Sequence, residues 1–106
     1  MLTDGIVVLI TASSEKEAQK IGNKLIKENL VACANIIPGI QSIFKWKRDV
    51  CQEEELLLIL KSKMDKLDDI ITMVKRMHSY QVPEIIALPI VGGAEDYLQW
   101  MEESIN

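Results

Sequence analysis

The residues best suited to chemistry lie between positions 76 and 90, in the stretch RMHSYQVPEIIALPI. This stretch contains His78, the single histidine of the chain, next to the thioether of Met77. A neutral imidazole binds metal ions, and its pKa near neutrality also suits proton transfer; a thioether is a soft donor suited to Cu(I). His78 also ends the apolar stripe of a predicted helix, where it could instead hydrogen-bond a carbonyl. The sequence leaves a metal ligand, an acid–base group and a structural histidine open.

A second candidate site combines an ammonium, a phenol and a carboxylate, from Lys61, Tyr80 and Glu84. Lys61 ends the apolar run LLLILK, near the point where Cys33 and Asn35 begin the strand predicted to pair with it. Such groups can bind a small anionic or polar ligand or arrange a proton transfer. The alternative is a Lys61–Glu84 ion pair at a sheet edge, which would contribute little to stability.

The two cysteines, Cys33 and Cys51, have neither disulfide nor zinc-site spacing. If the chain reverses near residues 48–49, Cys51 lies opposite Trp46, about 13 residues along the strand from Cys33, or ~40 Å. A disulfide needs Cα atoms within ~7 Å, so we expect no bridge between them. Cys33, within an apolar strand, is predicted to be a small buried core residue.

The acidic run Glu53–Glu55 and the aromatic pair Phe44 and Trp46 are further candidates for binding. Alternate residues of a strand point to opposite faces, so the three glutamates cannot form one chelating cage unaided. They are predicted to form a solvated edge that resists unwanted strand pairing. The aromatic pair could stack on a ligand, but an oligomer contact is the favoured interpretation.

The composition limits the class of protein. The chain has 106 residues, 48% hydrophobic and 26% charged, with a formal net charge of −4, which predicts one globular domain over residues 1–106. Its basic residues are scattered apart from a small cluster at 45–48, so we expect no nucleic-acid partner. No apolar run reaches the ~20 residues of a membrane span. With no cationic start of a secretory signal, a cytoplasmic location is predicted.

The chemistry-bearing residues must be positioned by alternating strands and helices. The residue pattern predicts strands at 5–10, 30–37, 41–47, 53–61 and 84–90, and helices at 14–29, 65–77 and 94–105. Ser14 and Glu17 form a capping-box pattern at the first helix. Residues 31–61 read as one long bent hairpin. The order predicts an α+β, ferredoxin-like βαββαβ fold with a long β-hairpin and a C-terminal helix.

The predicted hairpin is longer than such a domain needs, and Phe44 and Trp46 lie near its tip. A hairpin that projects beyond its own core with exposed aromatics requires a partner to cover it. Pairing with a neighbouring copy would bury apolar area at ~25 cal/mol per Å². The sequence therefore predicts a homo-oligomer.

Five segments closely resemble a known family at matching spacing: IVVLITASSEKEAQKI, VACANIIPGIQSIFKWK, ELLLILKSK, HSYQVPEIIALPI and YLQWM. Together they cover nearly the whole chain and resemble the CutA family of small divalent-cation-tolerance proteins. The resemblance implies a ferredoxin-like subunit in a tightly packed homotrimer, with hairpins that run into neighbouring subunits. It also implies an architecture similar to that of the PII signalling proteins, which bind small ligands between subunits. The family is associated with copper and other divalent ions, without an accepted catalytic reaction.

Copper binding in that family is attributed to a cysteine in the first strand and to two adjacent histidines before a Tyr-x-x-Pro-Glu segment. In this chain Ile10 stands at the cysteine position, and Met77 and His78 stand at the histidine pair. Ser79 stands where a proline is usual. The resemblance therefore carries over one metal ligand, His78.

The leading functional hypothesis is a non-enzymatic, trimeric binding protein of the CutA type that needs no cofactor. It would bind a divalent metal ion such as Cu²⁺ or Zn²⁺ weakly through His78. The alternative ligand is a small polar molecule in an intersubunit cleft formed by Lys61, Tyr80, Glu84, Cys33 and Asn35. A second hypothesis is a PII-like signalling module that binds a metabolite and a protein partner. A third is a small acid–base enzyme in which His78 acts with Tyr80 or Glu84.

Overall fold

The computed structural model describes residues 3–105. Within that range the chain forms four strands, three α-helices and one 3₁₀ turn. In chain order these are β1 (Gly5–Ala12), α1 (Glu15–Lys27), β2 (Cys33–Trp46), β3 (Asp49–Lys63), the 3₁₀ turn (Met64–Lys66), α2 (Leu67–Met77), β4 (Ile85–Pro89) and α3 (Glu95–Ser104). This order confirms the predicted α+β, βαββαβ fold with a long hairpin and a C-terminal helix.

The four strands form one antiparallel sheet in the order β2-β3-β1-β4. The continuous apolar run of β1 lies inside the sheet, between β3 and β4, as expected for a strand flanked on both sides. β4 is an edge strand, a position that suits Pro89, since proline cannot donate to a ladder hydrogen bond.

The core lies between one face of the sheet and helices α1 and α2. Alternate residues of β1 and β3 point into it and are fully buried, among them Val8, Ile10, Leu58 and Leu60. Helix α1 begins after Ser14, whose side chain accepts a hydrogen bond from the Glu17 backbone N–H at 3.1 Å. The buried stripe of α1 consists of Ala18, Ile21, Gly22 and Leu25. Ile26, next to Leu25 on the same helix, is exposed.

The hairpin β2–β3 gives the molecule its elongated shape, 44 × 27 × 23 Å. Its turn lies at Lys47 and Arg48, both in the left-handed region with φ of 51° and 74°. Trp46 therefore pairs with Asp49 and Phe44 with Cys51, so the prediction that Cys51 lies opposite Trp46 was wrong by two positions along β2.

The predicted bounds of the hairpin strands, 30–37, 41–47 and 53–61, also differ from the observed ones. β2 begins at Cys33 and is one strand through residues 38–40, but its pairing with β3 shifts register between Ile37 and Ile40, in keeping with a bent hairpin; β3 begins at Asp49. Both cysteines are free thiols. Cys33 pairs with Lys61, ten positions along β3 from Cys51, or ~33 Å, which agrees with the absence of a bridge.

The outer end of the hairpin, residues 43–50, is called the hairpin tip. Ile43 and Val50 are 70% and 71% exposed, and Phe44 and Trp46 are 40% and 41% exposed. These side chains confirm the prediction that the hairpin carries exposed aromatics beyond the core. One chain alone leaves this apolar surface uncovered.

Candidate functional site

The His78 imidazole forms hydrogen bonds through both ring nitrogens. Helix α2 ends at Met77, and the extended backbone of His78 turns the side chain back onto the end of β1. Nε2 lies 2.7 Å from the carbonyl oxygen of Thr11, and the backbone N–H of Tyr80 lies 3.0 Å from Nδ1. A carbonyl only accepts, so Nε2 carries the proton and Nδ1 uses its lone pair on Tyr80. The side chain is completely buried, in the arrangement expected of a structural histidine.

Glu17 fixes the same segment from the first turn of α1. Its carboxylate accepts hydrogen bonds from the backbone N–H groups of Ser13 at 3.0 Å and Ser79 at 2.8 Å. It also lies 4.0 Å from His78 Nε2. Burial alone would raise the pKa of Glu17, but the hydrogen bonds from Ser13 and Ser79 outweigh it and lower the pKa to about 2. The sequence predicted Glu17 only as a capping-box partner, because Ser79 is distant in sequence.

Tyr80 reaches across to β3 and donates its hydroxyl hydrogen to Glu55 Oε2 at 2.6 Å. Glu55 is only 5% exposed, so the expectation of a solvated acidic edge was wrong for this residue and holds for Glu53 and Glu54. Burial, and then the hydrogen bond to Glu55, raise the pKa of Tyr80. No local pattern marks Glu55 as buried, because it lies on the face of β3 opposite the core residues Leu58 and Leu60.

A groove of about 790 Å³ lies beside Tyr80 and Glu55, between β3, the hairpin tip and the segment after α2. It is lined by Thr11, Ser13, Ser42, Ile43, Phe44, Trp46, Cys51, Glu53, Glu54, Glu55, Ser79, Tyr80, Gln81, Val82 and Glu84. Two of the predicted ligand-binding residues, Tyr80 and Glu84, therefore share one concave surface. His78 is not part of that surface.

The other predicted ligand-binding residues form a separate group near the start of the hairpin. Lys61 Nζ contacts Asn35 Oδ1, and lies 3.9 Å from the Cys33 sulfur. Cys33 is half-buried and outside the core, so its prediction as a core residue was wrong. The pKa of Tyr97 in α3 is raised by burial and by the Cys33 thiol beside it, so α3 adds a phenol that the sequence did not predict here.

The two groups do not meet within one chain. Lys61 and Glu55 lie six positions apart on β3, or ~20 Å. A cleft that contains Lys61 together with Tyr80 and Glu84 therefore requires residues of more than one chain, and it stays a prediction.

Comparison with known proteins identifies the family. Residues 6–104 match the model of the family described as CutA1 divalent ion tolerance protein. The chain is 45% identical over 98 residues to the divalent-cation tolerance protein CutA of Thermus thermophilus, an alignment that covers 92% of this chain and 95% of that protein. The chain belongs to the CutA1 divalent ion tolerance family. This confirms the resemblance described above.

A solved CutA structure shares the fold. The divalent cation tolerance protein (Cut A1) from Thermus thermophilus superposes with a TM-score of 0.94 at 43% identity, over 96% of this chain and 99% of that chain. Protein CutA, chloroplastic, from Arabidopsis thaliana is 41% identical over 93% of this chain. The chain spans 54% of the length of that plant relative.

The copper positions attributed to the CutA family offer few metal donors in this chain. Ile10 is completely buried in the core and has no donor atom. Met77 packs against the core, and both nitrogens of His78 are engaged. Among residues 3–105, no group of three or more His, Cys, Asp or Glu side chains is arranged to hold a metal ion. The residues at these positions therefore do not fit a closed, tightly binding metal site.

No helix within the described range is long and apolar enough to cross a membrane.

Proposed function

We propose that this chain functions in tolerance to divalent cations as a non-catalytic homotrimer of the CutA type. The observation that carries the proposal is the family match over residues 6–104, together with relatives named for divalent-cation tolerance. The same match favours this function over a PII-like signalling module.

Apolar surface on the single chain supports the homotrimer. Ile43, Phe44, Trp46 and Val50 are exposed at the hairpin tip, and β2 and β4 are both edge strands. A neighbouring copy that covers the tip would remove this surface from water at ~25 cal/mol per Å². The number of copies, three, is what the resemblance to the CutA family implies.

Metal binding by His78 is proposed to be weak, with Cu²⁺ or Zn²⁺ as exchangeable ions. An ion at Nδ1 would displace the hydrogen bond from the Tyr80 backbone N–H, and a buried N–H left without a partner is costly. Ligation by one imidazole also leaves the ion without further side-chain donors from the same chain. Both effects lower affinity, in keeping with a protein that needs no resident cofactor.

The geometry of His78 also leads us to propose that the protein is not an enzyme. An acid–base role for His78 with Tyr80 or Glu84 needs an imidazole that reaches the substrate. The His78 side chain is completely buried, and both ring nitrogens are bonded to backbone groups. The raised pKa of Tyr80 keeps the phenol protonated near neutral pH, which makes it a poor base.

The second proposed ligand is a small polar molecule in a cleft between copies. Lys61, Cys33 and Asn35 of one chain would face Tyr80 and Glu84 of another, since the two groups are separate in one chain. A cytoplasmic location is also proposed. The free thiols of Cys33 and Cys51 suit a reducing compartment.

The proposed metal role is tested by calorimetric titration of Zn²⁺ and Cu²⁺ into the wild type, His78→Gln and Met77→Leu, at a verified oligomeric mass. Glutamine at position 78 keeps a side-chain donor for the Thr11 carbonyl, and leucine at 77 keeps the apolar contact without the sulfur. We expect weak binding in the wild type and a roughly tenfold loss, about 1.4 kcal/mol, in His78→Gln. Equal binding in the wild type and His78→Gln would contradict metal ligation by His78.

A further inference from the structure

A thiol and a primary amine lie next to each other at the start of the hairpin. Cys33 and Lys61 stand directly opposite each other in the register of β2 and β3, and Lys61 Nζ lies 3.9 Å from the Cys33 sulfur. Asn35 Oδ1 contacts both groups, since it accepts from Lys61 Nζ and from the Cys33 thiol, the latter at 3.8 Å. Both side chains are half-buried, so the pair is held in place without being sealed in the core.

The pairing of Cys33 with Lys61 lies within one chain. β2 and β3 are neighbouring antiparallel strands, and side chains directly opposite each other on one face of such a pair have Cβ atoms ~4.5–5.5 Å apart. The register brings the two side chains together whatever else covers that face of the sheet. Every copy in a homotrimer would therefore carry the same pair.

Lys61 is the nucleophile placed to react with an oxidised Cys33. A thiolate oxidised by a peroxide becomes a sulfenic acid, which then condenses with a thiol or a nitrogen atom. The second thiol of the chain, Cys51, is ten positions from Lys61 along β3, or ~33 Å. The phenol of Tyr97 also lies beside Cys33, but burial first and the Cys33 thiol next raise the pKa of Tyr97, so the phenol stays protonated near neutral pH. An amine held next to the reacting sulfur reacts much faster than one free in solution.

We propose that Cys33 and Lys61 form an oxidation site, at which a peroxide links the Cys33 sulfur to the Lys61 nitrogen as a sulfenamide. In the first step the thiolate attacks the peroxide, the O–O bond breaks, and the sulfur is oxidised to a sulfenic acid while hydroxide leaves. In the second step Lys61, after giving its ammonium proton to solvent, attacks the sulfur. An S–N bond forms, the S–O bond breaks, and water leaves. With hydrogen peroxide, one thiol, one amine and one peroxide give one sulfenamide and two water molecules.

The crosslink would change the charge of the cleft proposed between copies. A sulfenamide nitrogen lacks the ammonium charge of Lys61, so the cleft would lose the cation that faces Tyr80 and Glu84 of another copy. This loss of charge, and the access of the peroxide in the assembled protein, rest on the proposed function. Formation of the bond is a property of β2 and β3 in one chain, and it goes beyond the role in cation tolerance.

The test is mass spectrometry of the intact chain after treatment with hydrogen peroxide, at a verified oligomeric mass. A Cys51→Ser background leaves Cys33 as the single thiol. We expect a product ~2 Da lighter than the untreated chain, because the crosslink removes two hydrogen atoms, and a return to the original mass with dithiothreitol. Trypsin should release one fragment that joins residues 28–45 to residues 49–63, because it does not cleave after a modified Lys61.

Lys61→Arg in the same background is the matched control. Arginine keeps the positive charge opposite Cys33, but its guanidinium stays protonated and is a poor nucleophile. The product ~2 Da lighter should be lost, and sulfenic and sulfinic acids, ~16 and ~32 Da heavier than the untreated chain, should replace it. Treatment in denaturing urea, which separates β2 from β3, should also abolish the crosslink.

Three results would overturn the proposal. They are a chain with Lys61 that gains only ~16 or ~32 Da, a fragment that joins Cys33 to a second copy or to a different lysine, and a Cys33 that does not react in the verified assembly. The peptide map decides the question without Lys61→Arg if that variant fails to fold. Since the oligomeric mass is measured separately, a crosslink in a chain of monomeric mass would contradict the homotrimer alone.

Discussion

At the scale of single residues, Glu17 connects three parts of the chain through one carboxylate. It belongs to α1, accepts hydrogen bonds from Ser13 after β1 and Ser79 after α2, and lies beside His78. Charge-assisted hydrogen bonds from backbone N–H groups are stronger than neutral ones. Glu17 and His78 together therefore fix the segment that presents Tyr80 to Glu55.

We predict that Glu17→Gln lowers the free energy of unfolding by about 1–3 kcal/mol at pH 7. The amide keeps one acceptor oxygen but turns an N–H₂ group towards backbone donors. The measurement is urea unfolding at one fixed protein concentration. Glu15→Gln is the matched control, because Glu15 lies in the same helical turn and, among residues 3–105, its side chain bonds only that of exposed Gln19; it should change stability by less than about 0.5 kcal/mol. Equal effects of the two substitutions would contradict the proposed connection.

The pKa of Glu17 also predicts an acid dependence. The folded state lowers this pKa from 4.5 to about 2, so the carboxylate stabilises the fold above pH 4.5. That contribution is lost as the pH falls from 4.5 towards 2, and amounts to about 3 kcal/mol at most. The stability difference between the wild type and Glu17→Gln should therefore shrink between pH 5 and pH 2.5. A difference that stays constant over this range would be inconsistent with the lowered pKa.

Residue-level predictions from sequence succeeded where the partner was local and failed where it was distant. The Ser14 cap depends on a residue three positions away and was predicted. The burial of Glu55 depends on Tyr80, 25 positions later, so only the folded chain reveals it. For His78 the sequence left three roles open: a metal ligand, an acid–base group and a structural histidine. Its hydrogen bonds to Thr11 and Tyr80 are those expected of a structural histidine.

At the scale of elements, the hairpin turn is the most strained feature of the backbone. Lys47 and Arg48 both have positive φ, the pattern of a two-residue turn that matches the twist of β-strands. For non-glycine residues this conformation costs about 1–2 kcal/mol. The sequence contains no Asn-Gly or Asp-Gly signal here, and for that reason the turn was predicted one residue too late.

The order of strands and helices was predictable from the sequence, because apolar periodicity is a local property.

We predict that Arg48→Gly raises the free energy of unfolding by about 0.5–1 kcal/mol, because glycine adopts positive φ without a steric penalty. The measurement is the urea midpoint at fixed protein concentration. Lys45→Gly serves as the control, since Lys45 lies within β2 and glycine weakens a strand interior. Destabilisation by Arg48→Gly as large as that by Lys45→Gly would show that the Arg48 side chain, not its backbone strain, dominates.

At the scale of the whole molecule, the uncovered apolar surface is the main feature. The hairpin tip leaves Ile43 and Val50 about 70% exposed, and the sheet face opposite the helices leaves Ile86 and Leu88 about half exposed. A chain of this size buries a limited core of its own. In the proposed homotrimer, association would add stability that the single chain lacks, and the proposed cleft would depend on which copies meet.

We predict that Trp46→Asp lowers both the oligomeric mass and the melting temperature. A carboxylate at this apolar contact would have to be buried without a partner. Size-exclusion chromatography with light scattering and a thermal scan at matched concentration measure both quantities. Asp49→Asn, which neutralises the cross-strand neighbour of Trp46, is the control and should leave the mass unchanged. If Trp46→Asp keeps both mass and melting temperature, the tip does not form the contact.

The most direct test of the central claim is the mass of the wild-type chain in sedimentation equilibrium over a dilution series down to about micromolar concentration. Three copies of a 12.0 kDa chain give ~36 kDa, and this is the mass that a homotrimer joined through the hairpin predicts. A mass near that of one chain across the series would contradict the trimer and, with it, every cleft that needs residues from two copies.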